Sequence, residues 1–159
     1  MRKLLTTLLL TFIFISPALS DTLKDAKQAV KRHDYETAFT LYKPLAEQGE
    51  AEAQYALGEM YSKGLGAEQD VKTATKWYEM AAEQGHLLAQ LQAGRIYFLI
   101  TEDLVHAHKW LNIISERKID GAKKLQLKAA QMRNDIAKEM TPEQLEEAKK
   151  LAEIWLAQQ

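Results

Sequence analysis

The feature that most constrains this chain is a repeat with a fixed spacing. Ala46-Glu47-Gln48-Gly49 recurs 36 residues later as Ala82-Glu83-Gln84-Gly85, and a further 36 residues reach Gly121 in Lys118-Ile119-Asp120-Gly121. Five residues after each of these glycines stands a glutamine: Gln54, Gln90 and Gln126. Eight and nine residues after them come Leu57-Gly58, Ala93-Gly94 and Ala129-Ala130. Twelve after come Tyr61 and Tyr97, whereas the third copy has drifted to Arg133. A period of this length marks a unit too small to bury its own apolar face, so successive units must stack into a solenoid.

A second marker shows what each unit is made of. Asp70-Val71-x-x-Ala74-x-Lys76-Trp77 matches Asp103-Leu104-x-x-Ala107-x-Lys109-Trp110 position for position, and Asp34-Tyr35-x-x-Ala38 repeats it without the tryptophan. An aspartate in that place accepts a hydrogen bond from a free N–H in the first helical turn and so starts a helix. The spacing predicts helix pairs at 22–32 with 35–48, 51–62 with 71–84, and 87–99 with 104–116. A seventh helix is predicted near 122–138. The last runs from Thr141-Pro142-Glu143-Gln144 to about 157, opened by a Thr cap, Pro at the first helical position and Gln at the third. Pro44 falls inside the second helix and is expected to bend or shorten it. No stretch alternates apolar and polar with period two, so no strand is expected.

Ala53-x-x-x-Leu57-Gly58-x-x-Tyr61, then Gly64-x-Gly66, then Asp70-x-x-x-Ala74-x-x-Trp77-Tyr78-x-x-Ala81-Ala82-x-x-Gly85 resembles a complete Sel-1-like repeat, a relative of the tetratricopeptide repeats. The copy at 87–121 departs from it. Its inter-helix loop is three residues shorter, and Phe98-Leu99-Ile100-Thr101 stands where the Gly-rich loop was. The closing Met140 to Gln144 segment, with Trp155 near the end, is similar to the way short exported members of that family finish. The resemblance implies an all-α solenoid of helix pairs acting as an adaptor for another protein. The domain reading is a signal peptide at 1–20 and a repeat domain at 21–159. The latter divides into a partial repeat at 22–49, repeats at 50–85 and 86–121, and a C-terminal cap at 122–159.

Stacking assigns roles to the markers. Gly58 and Gly94, lacking a Cβ, should let the partner helix approach closely, with Trp77 and Trp110 filling the wider gap beyond. Burying an aromatic of that size removes on the order of 200 Å² from water, several kcal/mol at about 25 cal/mol per Å². That outweighs the ~1 kcal/mol a glycine costs a helix. The open end needs a cap, and the last helix supplies one, with Leu145, Ala148, Leu151 and Trp155 on one face.

The N-terminus reads as a secretory signal: Arg2 and Lys3, an apolar run from Leu4 to Ile15, Pro17, then Ala18-Leu19-Ser20 before Asp21. The run is shorter than the ~20 apolar residues a membrane span requires. Without cysteine it offers no thiol for a lipid anchor and no disulfides in an oxidising compartment. Cleavage after Ser20 would remove two cations and no acid, taking the net charge from −1 to −3. That mild acidity gives no reason to expect nucleic acid as a partner. The expected location is the periplasm or outside the cell, with no stable membrane anchor after cleavage.

No catalytic, metal or cofactor motif stands out. His106 and His108 are two apart, on roughly opposite sides of a helix, and cannot share a metal from one face. There is no HExxH, no GxSxG and no carboxylate cluster with metal spacing, and Gly64-Leu65-Gly66 reads as a turn. Some cysteine-rich relatives are linked to β-lactam binding, but this chain lacks their cysteines, so that activity does not carry over. The first helix of each pair should line a concave face. Positions three, six and ten after each marker glycine then point into it, which selects Tyr55, Glu59, Leu88, Leu91 and Arg95, with Phe98 completing an apolar strip. If the register is off by one, Leu88 and Leu91 are core. The leading expectation is a periplasmic scaffold that binds a protein or peptide segment of the cell envelope in that groove, without catalysis or cofactor. The alternatives are a structural or regulatory subunit of an envelope complex, or an envelope enzyme or ligand-binding protein acting on peptidoglycan or a β-lactam.

Overall fold

A computed structural model of the chain describes residues 17–159, so most of the expected signal segment lies outside the described residues. Eight helices follow one another: α1 (Pro17–Lys31), α2 (Tyr35–Glu47), α3 (Ala51–Lys63), α4 (Val71–Glu83), α5 (Leu87–Leu99), α6 (Leu104–Glu116), α7 (Lys123–Ala137) and α8 (Pro142–Ala157). No strand occurs among the described residues. The chain is an all-α solenoid in which each helix from α1 to α6 packs on the next, and α8 returns to lie on α6 rather than on α7.

The boundaries follow from the caps. Asp34, Asp70 and Asp103 each accept from the backbone N–H three residues on, at 3.2, 3.1 and 3.0 Å. Thr141 and Gln144 form a reciprocal capping box at the start of α8. Two further caps lie outside the aspartate pattern: Glu50 starts α3, accepting at 2.6 Å from Ala53, and His86 starts α5 through Nδ1, at 3.2 Å from Ala89. Pro44 does not stop α2, which runs to Glu47 with Leu45 and Ala46 buried. Tertiary packing of the following residues offsets the backbone bond that proline cannot make.

The marker residues now have physical roles. Gly49 and Gly85 take φ of +94° and +84°, the left-handed turn that ends α2 and α4. Beyond them Glu50 and His86 donate back to the carbonyls of Leu45 and Ala81. The period-36 glutamines pin each turn to the next helix. Gln54 Nε2 donates to the Ala46 carbonyl and Gln90 Nε2 to the Ala82 carbonyl, both at 3.1 Å, and Gln126 Nε2 to the Arg117 carbonyl. These carbonyls belong to helix ends, where four acceptors lack intrahelical partners. Gln54 Oε1 in turn accepts from Gln84 at 2.7 Å. Gln90 Oε1 has no partner among the described residues, because the residue matching Gln84 is Asp120, whose side chain has no N–H to give.

The close approach at Gly58 is made by Tyr78 of the partner helix. A Cβ there would stand 2.6 Å from Tyr78 Cδ1, while at Gly94 it would stand 3.1 Å from Leu111 Cγ. Trp77 is half-buried against the core of the first pair. Trp110 is buried and meets Trp155 of α8 edge-on, with ring centroids 6.0 Å apart. On α8 it is Ala148, Ala152 and Trp155 that are buried, with Leu145 and Leu151 half-buried beside them.

Candidate functional site: the face of the first helices

The first helices of successive pairs, α1, α3 and α5, border a trough whose floor is formed by the second helices. One hollow of about 230 Å³ lies between α1 and α3, over Tyr35 and Tyr42 of α2, and is lined by Glu52, Tyr55 and Glu59. Its neighbour, also about 230 Å³, lies between α3 and α5 over Tyr78 of α4, and is lined by Ser62, Gln92, Arg95 and Ile96. Lys63 borders both, and its Nζ is 2.6 Å from Glu59 Oε1.

Tyr55 is the hinge of this surface. Its ring stacks on His86 at 4.6 Å and tilts against Tyr78 at 5.8 Å. Burial, reinforced by nearby glutamates, pushes the Tyr42 and Tyr55 phenols up to about 12, so both are neutral hydroxyls at any physiological pH. Charge is supplied around them in balanced form. Glu52 lies 3.3 Å from Lys27 and 3.6 Å from His86 Nε2, and Arg95 is exposed, donating to Gln92 Oε1 at 3.2 Å.

Of the residues expected to face a groove, Tyr55, Glu59 and Arg95 border the two hollows. Leu88 is exposed but borders neither. Leu91 does not reach the surface: it is 7% exposed and packs in a core with Ala107, Leu111 and Ala129. Phe98 is half-buried against that same core and does not form a strip with Leu91. The cause lies outside α5. Tyr55 and Leu91 hold the same place in successive repeats, but α7 closes over Leu91, while Tyr55, against Tyr78 and His86, stays at the edge of an open hollow. The aromatic floor was missed in the sequence, although Tyr42 and Tyr78 stand one period apart and could have revealed it.

The sequence family of the Sel1 repeat matches residues 22–50 and 51–86. The chain carries two Sel1 repeats. Residues 87–121 lie outside that match, yet α5 and α6 continue the same helix-pair plan. A solved structure of a protective antigen present in uropathogenic Escherichia coli strains, displaying an SLR fold, is similar over 87% of this chain, with 25% identity and a TM-score of 0.75. A Sel1 repeat protein from Oxalobacter formigenes is similar over 84% of the chain, with 27% identity and a TM-score of 0.60. The chain spans 30% of the length of the first and 55% of the second. No curated protein matches it by sequence.

Sel1 repeats generally mediate contacts between proteins, and their solenoids are typically scaffolds without enzymatic activity. The chemistry of the trough suits that role. Among the described residues no group of three or more His, Cys, Asp or Glu is placed to hold a metal ion. No helix of the described residues is long and apolar enough to cross a membrane. The Sel1 trough offers neutral phenols, an arginine and a lysine–glutamate pair on rigid helices. These are groups that recognise side chains and backbone by contact.

Proposed function

We propose that this chain is a scaffold of the bacterial cell envelope that holds an extended peptide segment of a partner protein along the trough between α1, α3 and α5. The observation that carries the reading is the pair of adjoining hollows joined at Lys63. Each, at about 230 Å³, falls below the ~300 Å³ at which small-molecule pockets begin. Each therefore suits one or two side chains, and two in line suit successive residues of one segment. Tyrosine and arginine are the residue types that anchor such contacts. The Arg2-Lys3 start, the apolar run to Ile15 and the Ala18-Leu19-Ser20 site support export and release into the periplasm. No reaction forms part of this reading, because the trough holds no paired nucleophile and base.

The test is a photoreactive residue placed at Gln92, which borders the second hollow, in the full chain in cells. The expected result is an adduct with a defined envelope protein. It should be lost on Arg95→Glu or Glu59→Lys, and absent when the probe is placed at exposed Ile154 on α8. Adducts at Gln92 that ignore both charge reversals, or their complete absence, would refute the assignment of the trough.

A further inference from the structure

The last helix pair is built differently from the others. α1 packs on α2, α3 on α4 and α5 on α6, but α7 and α8 each lie against α6 and barely meet. Between them opens a cleft of about 590 Å³, more than twice either hollow of the trough and within the ~300–1,000 Å³ range of ligand sites. His108 of α6 lines it, 3% exposed, with an Nδ1 that has no hydrogen-bond partner among the described residues. Burial, helped by Arg133 and Lys149, holds that imidazole down to about 4, so it is an uncharged polar group at neutral pH.

The polarity of the cleft is set by Arg133. Its Nη1 donates to Asn112 Oδ1 at 2.9 Å, to Ser115 Oγ at 2.8 Å and to Glu116 Oε1 at 3.0 Å. Its Nε and Nη2 donate to Asn134 Oδ1 at 3.2 and 3.0 Å. A guanidinium can only donate, so it claims the oxygen of each carboxamide. Asn112 is half-buried and Asn134 exposed, both line the cleft, and among the described residues their NH₂ groups make no hydrogen bond. Lys149, whose Nζ lies 3.0 Å from Glu146 Oε1 in an exposed ion pair, adds an ammonium from α8 beside an apolar wall of Ala137, Leu145 and Leu156. The two acids at the site do not reverse this balance. Glu116 is engaged by Arg133, and Glu153 is exposed at the edge, where solvent screens it.

We propose that the cleft between α7 and α8 is a second binding site, separate from the trough, for a carboxylate carried on an apolar body. The carboxylate accepts from the Asn112 and Asn134 carboxamides and from Lys149, and the apolar body lies on Leu145 and Leu156. Two sources present this chemistry: the free C-terminus of a protein ending in apolar residues, and a small organic acid.

The test is a titration of the ¹⁵N-labelled chain, read by the side-chain NH₂ signals of Asn112 and Asn134 and the ring signals of His108. The probes are hexanoate, an N-acetylated leucyl-leucine with a free C-terminus, and the same dipeptide as its C-terminal amide. Saturable shifts at these three residues are expected with the acids and not with the amide. Tighter binding of the dipeptide acid than of hexanoate assigns the site to protein C-termini, and equal binding assigns it to small acids. Asn112→Asp keeps an acceptor for Arg133 but removes the donor. It should weaken binding by about tenfold or more, with the melting temperature little changed. Asn134→Asp is the independent second variant. Absence of saturable shifts at millimolar acid, equal binding of the amide, or unweakened binding by both variants overturns the proposal. Arg95→Glu should leave this titration unchanged, so failure here and failure of the trough are distinguishable.

Discussion

Adding one methyl group at two matching glycines should have unequal consequences. At Gly58 the new Cβ would stand 2.6 and 2.7 Å from Cδ1 and Cε1 of Tyr78, and 3.0 Å from Cγ. Carbon atoms settle at about 3.5–4.0 Å, so the ring or the helix must move by close to 1 Å. Tyr78 cannot yield easily, since it is buried and its ring tilts against Tyr55. Overpacking costs about 1–3 kcal/mol, and a contact this short against a buried ring falls in the upper part, about 2–3 kcal/mol, of which alanine returns about 1 kcal/mol of helix propensity. The net for Gly58→Ala is a loss of about 1–2 kcal/mol. At Gly94 the neighbours are Leu111 Cγ at 3.1 Å, Leu111 Cδ2 at 3.3 Å and the Ala107 carbonyl oxygen at 3.4 Å. A leucine can give by a few tenths of an ångström, so the propensity gain cancels the strain and Gly94→Ala should change stability by less than about 0.5 kcal/mol. For a chain of this size each kcal/mol moves the melting temperature by roughly 3–4 °C. Thermal melts followed by far-ultraviolet circular dichroism should therefore place Gly58→Ala roughly 3–8 °C below the parent, with Gly94→Ala close to it. Leucine occupies the Tyr78 position in the next repeat, so Tyr78→Leu should cost less in the Gly58→Ala background than alone, a positive coupling in the double-mutant cycle. Equal shifts for the two glycines, or a Gly58→Ala chain as stable as the parent, would refute the packing account.

Three further outcomes follow from the same contacts. Gln54→Ala removes the donor to the Ala46 carbonyl and the acceptor of Gln84. Urea unfolding should report a loss of about 1–3 kcal/mol from the two broken bonds, while the Ala46 carbonyl keeps the Gly49 N–H at 3.0 Å. Gly66→Ala should destabilise strongly, because φ is +71° and the Cβ would stand 2.2 Å from the Tyr35 carbonyl oxygen; a melt superimposable on the parent's would contradict it. His108 is held down to about 4 in the folded chain, against ~6.5 when unfolded. Its contribution is thus complete above pH ~6.5, and it is lost as pH falls towards 4, because the unfolded state takes up the proton first. The loss reaches up to about 3 kcal/mol. His108→Asn should flatten the melting temperature between pH 6.5 and 4.5, and an unchanged slope would show that other groups control the acid transition.

How much the sequence disclosed depends on the distance over which each signal acts. Helix starts at Asp34, Asp70, Asp103 and Thr141 were legible because a cap bonds within its own first turn. The stacking was legible because a period of 36 residues must bury one unit against the next. The glutamines announced themselves by spacing, although their task as pins between a helix end and the following helix needed coordinates. Tyr55, Glu59 and Arg95 could be set on one side of their helices by periodicity alone.

What the tertiary structure decided is which neighbour each face meets. Leu91 and Tyr55 are equivalent in sequence, yet α7 covers one while the other stays at an open hollow. Tyr78 of the partner helix takes the space at Gly58. The last helix lies on α6 and stands apart from α7, which creates the cleft. These choices depend on helix crossings between residues far apart in the chain. No local pattern encodes them, because side-chain volumes on both partners must be satisfied together at close-packed density. The sequence by itself determined a repeating all-α solenoid; only the packing of its helices determined where that solenoid stays open.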